Sequence, residues 1–123
     1  ALFHVQFNPF YDGISLYAMA RQTKKRMYKV HAKKAHSTLR TYAKSGFVNV
    51  VHQLKLLDAE QAALVGKKEY ACKLYQESSI LSVRGGFIQD AALSNERCAV
   101  FLLESRNDKN AVEDAVFHLE KAI

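Results

Sequence analysis

The side chains best placed to do chemistry are cations. Between Arg21 and Lys44 the sequence RQTKKRMYKVHAKKAHSTLRTYAK holds nine lysines or arginines and no acidic residue. Lys24, Lys25, Arg26, Lys29, Lys33 and Lys34 form its dense part and could together meet phosphates or carboxylates. Tyr28 stands among them and could stack on a base, which completes the ingredients for nucleic-acid contact. The same residues on an amphipathic helix would suit an acidic protein surface or anionic lipid, and lysine-rich helix faces are also commonly just solvated. No acidic residue occurs between Asp12 and Asp58, so the formal net charge of +6 is local to that span.

Catalytic chemistry finds no comparable pattern. The sequence has no P-loop, no dinucleotide-binding glycine fingerprint, no paired-histidine zinc motif and no nucleophile elbow. His31 and His36 are five residues apart, a poor spacing for a shared metal on one helix face, so a packed or solvated role fits them better. Asp58 and Glu60 fall on different sides of a helix and do not form an acid and base pair. Cys72 and Cys98 lack zinc or thioredoxin spacing and read as reduced, buried or half-buried side chains in a reducing compartment. The expectation is therefore a chain with no catalytic residues, no cofactor and no metal, any catalytic module lying outside it.

The elements that would carry these residues are helical. Apolar residues make up 49% of 123 residues, with one proline and five glycines, which favours a folded all-α domain over a turn-rich β fold. Asn8-Pro9 reads as a cap followed by proline at the first helical position, opening a helix that carries Phe10, Tyr11, Ile14, Leu16, Tyr17 and Ala18. The basic run keeps helical spacing at Met27, Val30 or His31, Ala35, Leu39 and Tyr42, and Ser45-Gly46 ends it. Its junction with the first helix has no glycine, so two helices meeting near Thr23 and Lys24, or one long kinked helix, both fit.

The best-formed stretch is Asn49 to Ile80. Val50, Leu54, Leu57, Ala62 and Val65 form a broad stripe, Asn49 is placed to cap the first turn, and Gly66 is suited to a left-handed helix end. A second run follows at once with Tyr70, Ala71, Leu74, Tyr75, Ser78 and Leu81, and the link is too short for anything but antiparallel neighbours. After Gly85 and Gly86 come a run with Ile88, Ala92, Leu93, Val100, Phe101 and Leu103, a polar turn near Arg106, and a last helix from about Ala111 to Ile123. Ala71, Tyr75 and Ser78 recur as Ala115, Leu119 and Ala122 at an offset of 44 residues. Ala35, Leu39 and Tyr42 offer a third copy that departs at the last, small position.

The pattern Gly66-x4-Ala71-x2-Leu74-Tyr75-x2-Ser78 resembles the tetratricopeptide repeat (TPR), with Lys68 where an aromatic is usual, Lys55 where a bulky apolar residue is usual, and no closing proline. The segment from Gly86 to Arg97, GFIQDAALSNER, looks like the helical-repeat region of large multidomain signalling ATPases, where such arrays act as connecting or sensing scaffolds. The resemblance covers roughly Asn49 to Ile123 and implies a fold and a scaffold role, not catalysis.

Together these readings predict a short α-solenoid of about six helices in antiparallel TPR-like pairs, about 9–44, 49–83 and 87–123, in one domain spanning 1–123. The opening at Ala1 suggests a piece of a longer chain, although processing of a native amino terminus would look the same. The expected function is a non-catalytic protein-protein interaction or scaffold domain, binding an acidic surface, a peptide segment or a neighbouring domain. Gln53, Glu60 and Asn95 are its candidate groove residues. The alternative is a basic RNA- or DNA-binding accessory subunit that uses the Arg21–Lys44 helix. No stretch has the length and apolarity of a membrane span, and an intracellular, cytoplasmic location is expected.

Overall fold

The computed structural model describes residues 8–105 and 109–122. They form six helices, α1 Pro9–Thr23, α2 Arg26–Lys44, α3 Val51–Leu64, α4 Lys68–Arg84, α5 Ile88–Glu104 and α6 Lys109–Ala122, with a 3-10 turn at Val48–Val50. No strand occurs among the described residues, in line with the all-α expectation. The polar turn expected near Arg106 and the expected helix end at Ile123 lie outside the described residues.

Local chemistry sets most helix ends. Asn8 Oδ1 accepts from the amides of Phe10 at 3.0 Å and Tyr11 at 3.3 Å, with Pro9 in the first turn, as its sequence position predicts. Helices α2 to α5 then end at Lys44, Leu64, Arg84 and Glu104, at intervals of twenty residues. Three of these ends share one device. Gly46, Gly66 and Gly86 have φ of +93°, +81° and +81°, and the next amide in each case reaches back to a carbonyl of the last turn: Phe47 to Tyr42, Lys67 to Ala62 and Phe87 to Ser82. These bonds satisfy carbonyls that the helix leaves open and need a left-handed residue to form.

Two starts and stops differ from expectation. Asn49 does not cap α3; it lies inside the 3-10 turn, and Val50 occupies the cap position without a side-chain bond. At the first junction the chain does break, and Lys24 takes the left-handed conformation, φ 62° and ψ 12°, that glycine takes elsewhere. Its amide donates to Ala20 O at 3.0 Å, while Thr23 Oγ1 donates to Met19 O and accepts from Lys25 N.

Helix α1 packs on α2, α3 on α4 and α5 on α6, while α4 also meets α5 and α1 meets α3. Gly13 makes that last approach possible, since a Cβ there would stand 2.9 Å from both methyls of Leu57, a fully buried side chain. The core joins Phe10, Tyr17, Leu39, Leu56, Leu57, Leu74, Tyr75, Cys98 and Leu102. Ala71, Tyr75 and Ser78 are each fully buried, so the small-large-small spacing of α4 is a packing face. The equivalent Leu119 is partly exposed and Tyr42 is 41% exposed.

Several faces are rotated from their predicted positions. In α2 the buried residues are Ala32, Ala35, His36 and Leu39, and Met27 and Val30 are exposed. In α3 burial extends to His52, Leu56, Ala59, Glu60 and Ala63, while Val65 is exposed. Tyr11, Tyr70 and Ile88 also point outward. For α3 the physical reason is its surroundings: with α1, α2, α4 and α5 all against it, it buries polar residues along with apolar ones, and a one-sided stripe does not describe it.

Candidate functional site

Glu60 sits in the middle of α3 with no side-chain exposure, and two helices supply its counter-charges. Arg21 of α1 donates through Nη1 to Glu60 Oε2 at 2.6 Å, and Arg97 of α5 donates through Nε to Oε1 at 2.6 Å. Arg21 is itself only 8% exposed, and its Nε lies 3.3 Å from Glu104 Oε2. Burial acts against the Arg21 charge, but Glu60, with Tyr75 and Glu104, outweighs it and holds the guanidinium above its ordinary pKa. The Tyr75 hydroxyl is pushed well above its ordinary value, by burial first and then by Glu60. The second terminal nitrogens of Arg21 and Arg97 are buried without a hydrogen-bond partner. The cluster thus ties three helices together by charges taken out of water and held by their mutual pairing.

Beside this cluster is a hollow of about 740 Å³ lined by Ala18, Arg21 and Gln22 of α1, Ala63 and Leu64 of α3, and Arg97, Val100 and Phe101 of α5. A second hollow of about 500 Å³ adjoins it, sharing Lys24 and Leu64. Lys24, Lys25, Arg26, Lys29 and Lys33 all line the second, over Ala20, Val30 and Leu64. The structure therefore brings together five of the six predicted basic residues. Lys34 is set apart in another hollow with Asp12, Ser15 and His31. None of the six lies within ion-pairing distance of a carboxylate among the described residues. Tyr28 is half-buried and does not line the hollow that the five cations share.

The predicted groove residues do not share a surface. Glu60 is sealed inside its arginine pair, Gln53 is half-buried on α3, and Asn95 is buried on another side of α5. Asn95 Nδ2 donates to Ser79 Oγ of α4 at 3.2 Å. Asn95 is a helix-packing residue, and only Arg97, two positions on, faces Glu60.

Two histidine networks were not visible in the sequence. His36 lies between Tyr17, whose hydroxyl is 2.7 Å from its Nδ1, and Asp58, whose Oδ1 is 2.6 Å from its Nε2. Burial is the main cause that raises the Tyr17 pKa above its ordinary value, with Arg40 opposing and Asp58 and Glu60 adding to it. His52 in turn lies 2.7 Å from Asp90 Oδ2 and stacks on Phe87 with ring centroids 4.4 Å apart. Both histidines are buried and join neighbouring helices; the sequence signal for His52 was a polar residue beside the apolar Val50, Val51 and Leu54, and His36 in its basic run carried none. Among the described residues no three His, Cys, Asp or Glu side chains converge as metal ligands would. Nor is any described helix long and apolar enough to cross a membrane.

No family model, no curated protein and no solved structure matches the chain.

Proposed function

We propose that this chain is a non-catalytic protein-interaction domain of tetratricopeptide-like type, serving as a scaffold within a signalling protein or other large assembly. The observation that carries the reading is the 740 Å³ hollow, because its walls come from α1, α3 and α5, the first helix of each successive pair. Alternate helices that line one concavity are what stacked helical pairs offer a partner segment. The two-helix interval of forty residues at Lys44 and Arg84 is longer than the roughly 34 residues of the usual repeat, which makes this an extended variant of that design. The hollow mixes apolar Ala18, Val100 and Phe101 with charged Arg97 and Glu104, a composition suited to anchoring a peptide side chain and orienting it.

Phage display of random peptides against the folded domain tests the reading. Enriched peptides should lose about tenfold or more in affinity when Ala18→Trp or Val100→Trp fills the hollow, with the circular dichroism spectrum unchanged. Failure of any peptide to enrich, or equal binding by both filled variants, would overturn it. The runner-up reading, nucleic-acid contact along α2, draws on the exposed lysines; Arg21 does not contribute to it, being neutralised by Glu60.

A further inference from the structure

We infer that the elbow between α1 and α2 is a docking site for an acidic peptide segment carrying an apolar residue among its carboxylates. This rests on the reading of the domain as a protein-binding module and names the partner chemistry of one particular surface. Three observations converge on it. First, the left-handed turn at Lys24 folds the chain back so that Lys24, Lys25 and Arg26 follow one another around the bend, with Lys29 and Lys33 on the next two turns of α2. All five border the same 500 Å³ hollow and none has a carboxylate partner among the described residues. Five like charges gathered around a concavity repel one another, and an anionic occupant removes that repulsion.

Second, the floor is apolar. Ala20, Val30 and Leu64 line it, and Val30 is 41% exposed. A purely ionic ligand would leave that floor wet, whereas a leucine-sized side chain between carboxylates would cover it. Third, no aromatic ring lines the hollow, so a nucleic-acid strand would find phosphate contacts there but no stacking platform for its bases. The start of α2 adds to the field, since Lys25 makes no side-chain cap and the first turn has no acidic residue to neutralise the positive end of the helix.

The test uses three fluorescein-labelled probes in low salt: a polyglutamate peptide with a central leucine, the same peptide without leucine, and an oligouridylate of equal charge. The leucine peptide should bind tightest. Its affinity should fall at least tenfold in Lys29→Glu/Lys33→Glu and at physiological salt, where exposed charges are screened beyond about 8 Å. Both substituted side chains are exposed, and an unchanged circular dichroism spectrum would show that the variant is folded. Absence of peptide binding, equal binding by the reversed variant, or tighter binding of the oligouridylate would each overturn the assignment. If display peptides still select the larger hollow while the acidic peptide fails, the elbow assignment alone falls. If neither binds, both readings fall.

Discussion

Arg21 Nη1 meets Glu60 Oε2 at 2.6 Å across 39 residues of sequence, and the bond ties α1 to α3 inside the core. Glu60 gives its other oxygen to Arg97, so a single buried carboxylate bonds the third helix to both the first and the fifth. The larger hollow opens beside that junction, and its shape depends on the junction holding.

Removing Glu60 therefore has a consequence beyond one lost contact. Glu60→Leu leaves Arg97 buried without its anion and Arg21 with only the half-exposed Glu104, and should lower unfolding free energy by about 3–5 kcal/mol. The triple variant Arg21→Met/Glu60→Leu/Arg97→Met removes the unpaired charge as well and should recover most of that loss. Urea denaturation of the two proteins decides it: a triple variant no more stable than Glu60→Leu would show that the cluster is not the source of the cost.

Of the four left-handed positions among the described residues, Lys24 and Gly66 should respond in opposite senses. Lys24 holds φ 62° with a side chain that disfavours it, so Lys24→Gly should raise stability by about 0.5–1 kcal/mol. Gly66 holds φ +81°, with nothing within 4 Å of where a Cβ would stand, so Gly66→Ala pays only the backbone strain and should lower stability by about 1 kcal/mol. Thermal melts of the two variants should shift in opposite directions, and a shift of the same sign in both would refute the conformational argument.

These residues also explain what was legible beforehand. Asn8-Pro9 and the glycines at 46, 66 and 86 act through their own backbone, so a few neighbouring residues suffice to recognise them. Lysine has no preference for a left-handed turn, so without a glycine the sequence left a break near Lys24 and one long kinked helix equally open. Helix faces were harder still. His36 and Glu60 are buried because Tyr17, Asp58, Arg21 and Arg97 meet them from other helices, and no local pattern records those meetings. Five basic residues at the elbow were recognisable as a cluster, but their shared hollow needs Ala20 from α1 and Leu64 from α3.

The approach of α1 to α3 gives a sharper mutational test. A Cβ at Gly13 would lie 2.9 Å from both Leu57 methyls, so Gly13→Val must displace a fully buried leucine and should cost about 1–3 kcal/mol. Leu57→Ala alone opens a cavity and should cost about 2–5 kcal/mol. In the double variant the added valine fills part of that cavity, so the combined loss should be smaller than the two losses added. Strict additivity in chemical denaturation would mean that the two residues do not share this space.

High pH should unfold the domain through Tyr17 and Tyr75. Both hydroxyls are raised above the ordinary value of 10.0, chiefly by burial, so each stays protonated in the folded state after its unfolded counterpart has begun to ionise. Above about pH 10 the unfolded chain binds fewer protons than the folded one, and stability must fall as pH rises, by up to about 1.4 kcal/mol per pH unit for each tyrosine. Below that pH their contribution is constant. Tyrosinate absorbance followed beside circular dichroism checks the point: part of the tyrosine signal should appear only as helicity is lost. Tyr17→Phe should flatten the alkaline slope by about one proton while costing about 1–3 kcal/mol at neutral pH, because His36 loses its buried partner. Full tyrosine ionisation with the helices intact would show that neither hydroxyl is held in its protonated form.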